Sequence, residues 1–361
     1  MVAPALVVTA LSLRGERRRA EYVASRLIPA VDETGRPLPA TVIVVIDGDR
    51  YRMSENIESL ATQDYPDYEL LAVARRASDI PAGVLPSKIK VLLAPGDLIA
   101  TALGAARKTT QVFAFTRGDG RVERGWLSAL VAPLRDEGTG ASTGYRWYLP
   151  EPPSFWSLMR SVVDSEIAGE LGPAVSPFAC GCAMAALKAT LKDAKISDSD
   201  GGASSMGVGL TLAVRAAGKN IAFAPGAMVA CPERVTAREF LNAAYRQAAL
   251  MRQLLPAAWW AAFGRHLATC CAMAITLGAI VAGSRLAEWA LVAQLGLLML
   301  KGVNRATLAK AELPSSKPWF DRHGWVFTWW APAASWFWLI SLAASALERK
   351  ATASVARSPV L

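Results

Sequence analysis

The sequence predicts an α/β fold, a mostly parallel sheet with helices on both faces, followed by helices that cross a membrane. Two observations carry this reading. From Ala40 to about Ala230 short apolar runs alternate with helical patterns, the order that gives a parallel sheet with crossover helices. Long apolar runs then crowd roughly the last hundred residues, and the chain is 53% hydrophobic, above the roughly 45–50% of soluble chains.

The strands follow in order. Thr41–Ile46 (TVIVVI) is a buried strand ending at Asp47-Gly48-Asp49, and Ser54–Ala61 is a helix. Glu69–Ala74, Ile89–Leu93 and Val112–Thr116 are three further strands. In open sheets of this kind ligands bind at the carboxyl ends of the strands. Asp47, Asp49, Asp79 and Asp119 all follow strands on that edge, so four acidic groups distant in sequence converge there.

Leu267–Gly283 and Leu286–Leu300 are each a little short of the roughly 20 residues that span a bilayer. Only Ser284 and Arg285 separate them, which predicts a tight helical hairpin. Trp325–Leu347 is long enough to cross alone, with tryptophans towards its first half as an interfacial belt would place them. The intervening loop, Lys301–Gly324, carries Lys301, Arg305, Lys310, Lys317 and Arg322 against two acids, which predicts a cytoplasmic side. Pro256–Phe263 (PAAWWAAF) suits a segment lying in the interface. Met1–Leu13 is apolar and is followed by Arg14, Arg17, Arg18 and Arg19. No basic stretch precedes it, so it reads as a shallow anchor or a first span rather than a signal peptide. The expected organisation is an anchor and linker over 1–39, an α/β domain over 40–255, a membrane region over 256–347 and a tail over 348–361.

A net charge of +9 suits an anionic membrane surface or anionic nucleotides. Nucleic acid is not expected, because no basic stripe interleaved with aromatics is present. The five cysteines show no zinc spacing and there are two histidines, which reads as reduced thiols in a cytosol-facing protein with no structural metal.

The run DGDRYRMSENIESLATQDYPDYELLAV (Asp47–Val73) resembles the amino-terminal signature of ceramide glucosyltransferase-like proteins, among the family 2 and family 21 glycosyltransferases of GT-A fold. Its most characteristic piece is Gln63-Asp64-Tyr65-Pro66-Asp67-Tyr68-Glu69. GRVERGWLSALVAPL (Gly120–Leu134), TGYRWYLPE (Thr143–Glu151), FACGCAMA (Phe178–Ala185), LTLAVRAAGKNIAFAP (Leu210–Pro225) and YRQAALMRQLLP (Tyr245–Pro256) follow in the family's order. The resemblance implies inverting transfer of a sugar from a nucleotide donor, a UDP-sugar, to a lipid acceptor. It also implies an inner or plasma membrane location with the globular domain cytoplasmic.

The resemblance further implies a metal-binding Asp-x-Asp after the fourth strand, where this chain has Arg117-Gly118-Asp119. An Asp pair there holds Mg or Mn bridging to the diphosphate. Here two readings stay open: Arg117 takes over the cation's work on the diphosphate, or it pairs with Asp119 as a salt bridge at a silent site. The family's catalytic base falls on Met206 and Gly207, neither of which accepts a proton, and Asp198 and Asp200 lie a few residues upstream on a Gly/Ser-rich loop. Tyr245-Arg246-Gln247 keeps the polar start of the last motif and Arg252 follows at helical spacing. Arg246 and Arg252 are then candidates for the leaving diphosphate, or for anionic lipid headgroups. Asp47, Asp49 and Asp79 are candidates for the nucleoside side. Tyr145-Arg146-Trp147-Tyr148 either wall an acceptor pocket, with Tyr145 and Trp147 as the acceptor candidates, or pack an edge strand. The alternative to an enzyme is a catalytically silent relative that serves as a membrane scaffold with protein partners.

Overall fold

The computed structural model describes residues 2–27, 37–46, 51–80, 85–173, 178–191 and 203–347. Asp47, Asp49, Asp198, Asp200 and the tail 348–361 lie outside them. The elements run α1 (Val2–Arg26), β1 (Ala40–Ile46), α2 (Met53–Ala61), β2 (Tyr68–Ala74), β3 (Ile89–Leu93), α3 (Leu98–Ala105), β4 (Val112–Arg117), β5 (Arg121–Val122), α4 (Trp126–Val131), β6 (Thr139–Tyr148) and α5 (Phe155–Ala168). Then come β7 (Ala183–Leu187), α6 (Lys188–Leu191), α7 (Ala203–Ala216), β8 (Asn220–Cys231), α8 (Ala237–Leu254), α9 (Pro256–Val281), α10 (Arg285–Glu312), α11 (Lys317–His323) and α12 (Trp325–Leu347).

The eight strands form one sheet in the order β3-β2-β1-β4-β7-β6-β8-β5. β3, β2, β1 and β4 are parallel, β7 runs antiparallel between β4 and β6, and β6 and β8 are parallel. β1 is buried along its whole length, as a run of β-branched residues facing helices on both sides requires. One face packs Val42, Val44 and Ala114 on Trp126, Leu127 and Leu130 of α4. The other packs Ile43, Phe113 and Phe115 on Leu98 and Ile99 of α3 and on Met206, Leu210 and Val214 of α7.

Local chemistry fixes the helix ends. Asp97 caps α3 by accepting from the Ile99 and Ala100 N–H groups, and Thr236 and Glu239 form a reciprocal cap on α8. Gly218, at φ 65°, ends α7 in the left-handed conformation that glycine takes without strain.

Three helices, α9, α10 and α12, are long and apolar enough to cross a membrane. Several expectations for this region are corrected. Pro256–Phe263 is no separate interfacial segment but the first turns of α9. Lys301–Gly324 is no loop, since α10 continues to Glu312 and α11 follows. Lys301 and Arg305 are buried rather than exposed, with Arg305 Nη1 2.7 Å from Glu166 Oε1 and its Nε 3.2 Å from Glu16 Oε1. Val2–Leu13 belongs to the longer helix α1, whose Arg19 pairs with Glu312 of α10 at 2.7 Å. α12 lies against α5 and α8 of the sheet domain as well as α9 and α10. Its buried face (Phe327, Ala331, Ala334, Trp338, Leu342, Ser345) turns inward, and Trp325, Trp329 and Ile340 turn out.

A Cβ built on Gly144 of β6 would lie 1.7 Å from the Ala227 carbonyl oxygen of β8, at an irregularity in the β6/β8 register. Backbone cannot swing aside as a side chain can. Gly144→Ala is therefore expected to destabilise the fold at or above the upper end of the roughly 1–3 kcal/mol typical of overpacking. A drop in thermal midpoint of the detergent-purified chain is the check; an unchanged midpoint contradicts this packing.

Candidate functional site

The turn after β4 is built to bring one carboxylate to the edge of the sheet. Gly118 N–H donates to the Val45 carbonyl, Asn56 Nδ2 of α2 donates to the Gly118 carbonyl at 3.2 Å, and Met53 packs on the glycine. A side chain at Gly120 would meet Val229 of β8 at 2.2 Å, so the chain passes close under that strand. Asp119 is thereby directed at β6.

Side chains alternate along a strand, and β6 uses both faces. Tyr145 and Trp147 point into the core. Arg146 points towards Asp119, giving a two-pronged contact: Nη2 to Oδ1 at 2.7 Å and Nη1 to Oδ2 at 3.0 Å. Arg117 adds a longer contact, Nε to Oδ2 at 3.3 Å. Burial works against the charge of Asp119, but Arg146 and then Arg117 outweigh it and hold the carboxyl well below its ordinary range. Both carboxylate oxygens thus accept from guanidinium groups. Those contacts compete for lone pairs that a divalent cation would use, and no group of three or more potential ligands is found among the described residues.

Beyond Arg146 the polar cluster continues. The Tyr148 ring lies 5.9 Å from the Arg146 guanidinium and 3.8 Å from that of Arg160 on α5. Arg160 reaches Glu233 at 2.9 Å and Asp164 at 3.5 Å. Burial pushes the Asp164 carboxyl up to about 6 despite the opposing pull of Arg160. Cys180 is drawn down to about 6, first by the hydrogen bond from the Cys182 thiol, while burial pushes Cys231 up to about 12. Clustered ionisable groups shifted in this way mark functional clefts. A cavity of about 120 Å³ adjoins the turn, lined by Arg52, Asn56, Arg121 and Glu151 of the sheet domain and by Ser316 and Trp319 from the segment after α10. Arg52, at φ 56°, holds a left-handed conformation uncommon for a non-glycine, and its Nη1 meets Glu151 at 2.8 Å.

The other expected site residues are placed as follows. Asp79 is buried and closes a turn after β2, accepting from the Arg76 N–H and guanidinium. Arg246 is exposed and Gln247 half-buried on α8. Arg252 donates to the Ser345 carbonyl of α12 and lies over the Trp259 ring, so it ties α8 to the membrane helices. Tyr145 and Trp147 do not wall a pocket. The Tyr145 hydroxyl donates to the Asp164 carbonyl, and Trp147 is buried edge-on to Phe320 and Phe327. Sequence reasoning took Arg146 and Tyr148 only as part of a stretch walling an acceptor pocket or packing an edge strand, and it passed over Arg160, Asp164 and Glu233. Arg146 and Tyr148 alternate with Tyr145 and Trp147 within TGYRWYLPE, and that period was the available signal.

The strand order, with a parallel β3-β2-β1-β4 half and an antiparallel β7, defines a GT-A-like fold carrying membrane-length helices. No protein-family description matches the chain, and no curated protein sequence does. Among solved structures it is similar to the mannosyltransferase PcManGT from Pyrobaculum calidifontis, in complex with GDP-Man and Mn2+. That likeness is 18% identity over 94% of this chain and 99% of the other, with a TM-score of 0.43. It is also similar to glucosyl-3-phosphoglycerate synthase from Mycobacterium tuberculosis in complex with phosphoglyceric acid, at 15% identity over 60% of this chain and 79% of the other, with a TM-score of 0.41.

If Arg146 is what keeps Asp119 charged, Arg146→Met leaves a buried, poorly paired carboxylate and costs about 3–5 kcal/mol at neutral pH. A depressed carboxyl contributes stability that is complete above its ordinary value of 3.8 and fades as pH falls towards the folded-state value. The penalty should therefore shrink as the variant is taken from pH 7 to pH 4, where its unclamped Asp119 takes up a proton. A penalty equal at both pH values would contradict the clamp.

Proposed function

We propose that this protein is a membrane-bound glycosyltransferase of GT-A-like fold that takes a UDP-sugar and transfers the sugar, with inversion, to a lipid acceptor at the cytoplasmic face. The observation that carries this reading is the Arg117–Asp119–Arg146 arrangement in the turn after β4. With Arg146 committed to Asp119, Arg117 is the cation that meets the donor diphosphate and stabilises the charge that grows on it as it leaves. Arg246 and Gln247 on α8, at the family's Arg-Gln position, are the proposed further contacts to that leaving group, and Arg252 positions the helix they sit on. Asp47, Asp49 and Asp79 remain the proposed nucleoside side of the cleft.

Two features support a lipid acceptor. The motif resemblance is to enzymes of that kind, and the cavity beside the turn is walled by both the sheet domain and the segment that follows α10. Ser315 N–H donates to Glu123 across the same boundary. A headgroup held at the membrane surface thus arrives next to the diphosphate turn. The exposed Lys317 and Arg322 on α11 favour the cytoplasmic side for this surface.

A second reading, a silent relative acting as a scaffold for protein partners, is favoured by the size of that cavity and by the base position. About 120 Å³ is well under the roughly 300–1,000 Å³ of ligand pockets. Met206 is buried in the core, and Gly207 packs on the Ala179 backbone.

Calorimetric titration of the purified chain with UDP-sugars decides between them. The expected result is micromolar to millimolar affinity that changes little with Mn2+ and falls about tenfold or more in Arg117→Ala, since a hydrogen bond to a charged group contributes roughly 1.5–3 kcal/mol. Absence of binding to any nucleotide sugar supports the scaffold. Binding that requires Mn2+ refutes the guanidinium substitution.

A further inference from the structure

By length and composition α12 could cross a bilayer, yet its neighbours hold it at the foot of the α9–α10 hairpin. Gln294 Nε2 of α10 donates to Thr276 Oγ1 of α9 at 2.9 Å, which sets the register of the hairpin and puts His266 and Gly302 at nearly the same level. α12 meets the first through Trp338, whose ring stacks 6.3 Å from the His266 ring, and the second through the Phe327 carbonyl. Those contacts lie about 16 Å apart along α12 at roughly 1.5 Å per residue, so the helix runs across the hairpin rather than with it. The apolar cluster that α12 joins takes Trp259, Ala262 and Phe263 from α9 and Ala306, Leu308 and Ala309 from α10. All six stand on the side of that level away from the hairpin tip at Gly283-Ser284.

The sheet domain takes another side of α12. Phe155 of α5 lies 5.4 Å from the Trp330 ring, and the Val163 carbonyl accepts from Trp338 Nε1 at 2.9 Å. Phe240 of α8 lies 5.3 Å from Phe337, and Arg252 donates to the Ser345 carbonyl. α8 thus accompanies α12, and it carries exposed Arg238, Glu239 and Arg246. Were α12 a span, those charges would be drawn towards hydrocarbon, where each is costly. What α12 leaves open is a stripe of Trp325, Trp329, Trp336 and Ile340, the apolar, mainly aromatic face of a helix lying at the headgroup boundary. The outer hairpin is different. From Leu267 to Leu300 its charges are confined to Arg285 and Glu288 at the tip, and Leu267–Ser284 measures about 27 Å, near the roughly 30 Å of hydrocarbon. Trp289, 72% exposed beside the tip, stands where the far headgroups begin.

We propose that, of the three membrane-length helices, only α9 and α10 cross the bilayer, and that α12 lies in the leaflet surface on the sheet-domain side. The occupant of its aromatic stripe is the lipid of that leaflet, continuous with the lipid around the hairpin. This seat holds whether or not a sugar is transferred, so its failure leaves the transferase reading untouched.

Impermeant maleimide labelling of the full chain in sealed membrane vesicles of both orientations tests the crossing. The background replaces Cys180 and Cys271, the two cysteines that are not buried, with Ala. Ser284→Cys should label from one side, and Lys317→Cys and a cysteine appended after Leu361 from the other. An appended cysteine that labels from the Ser284 side shows α12 crossing and overturns the proposal. Ser284→Cys that labels from the Lys317 side, or from neither, shows a hairpin that does not cross and also overturns it. Nitroxides on Trp329→Cys, Trp336→Cys and Ile340→Cys in phosphatidylethanolamine–phosphatidylglycerol vesicles give the depth of the stripe. All three should lie about 5–10 Å below the headgroup boundary. A spanning helix instead puts the Trp336 position about 15 Å deep, half the hydrocarbon thickness. Nitroxides reached by an aqueous nickel complex and not by oxygen mark a face in water, and spin–spin broadening with a dimeric mass in detergent marks a second copy as the occupant. Each of these three results overturns the assignment. The appended cysteine alters no packed residue, so the labelling result stands even where a tryptophan variant fails to fold.

Discussion

Asp119 and Arg146 meet through two hydrogen bonds in a place almost closed to water, and neither charge can be left there alone. A broken buried pair exposes each ion to a desolvation cost that nothing else repays, so the chain around them is constrained to keep them facing. The turn after β4 must hold Asp119 forward, and β6 must present Arg146 on the same side. Period-two geometry then leaves Tyr145, Trp147 and Leu149 on the opposite side, where they pack with Phe320 and Phe327. The polar cleft and the seat of the membrane helices are two faces of one strand.

The same pair reverses the chemistry of the turn. Two carboxylates there would attract a divalent cation, and the cation in turn a diphosphate. In the proposed reading arginine takes the place of that intermediary. Arginine does this with a planar fork suited to oxygens of phosphate or carboxylate, but it cannot reproduce octahedral coordination. Arg146 uses its fork on Asp119. Arg117 makes the longer of the two contacts to Asp119, at 3.3 Å.

Strand positions were readable from sequence because burial on both faces demands runs of β-branched residues. Thr41–Ile46, buried along its whole length, was expected within a residue of where it lies, whereas Ile89–Leu93, a largely exposed edge strand, was legible from its apolar run alone. The pairing of Arg146 with Asp119 escaped notice because its partner lies 27 residues away and their meeting depends on β7 inserting antiparallel between β4 and β6. The face of β6 taken by Tyr145 and Trp147 was hidden for the same reason: aromatic character is visible in sequence, and orientation is not. Lys301 and Arg305 were expected in a loop because charges usually mark solvent. Their acidic neighbours come from α1 and α5, far away along the chain, and no local pattern announces them.

Those buried ions also bear on the cleft. Arg305 binds Glu16 of α1 and Glu166 of α5, while Arg19 of α1 binds Glu312 at the end of the same α10. Ion pairs taken out of water contribute little net stability, but they penalise any arrangement that separates them, and so they register one element against another. Here they register α10 against α1 and against the sheet domain. A Cβ at Gly302 would lie 2.0 Å from the Phe327 carbonyl, so α10 and α12 are also locked at close approach. Only the turn at Pro314–Ser316 separates α10 from Trp319 of the cavity wall. The setting of these helices therefore fixes where that wall stands against the sheet domain.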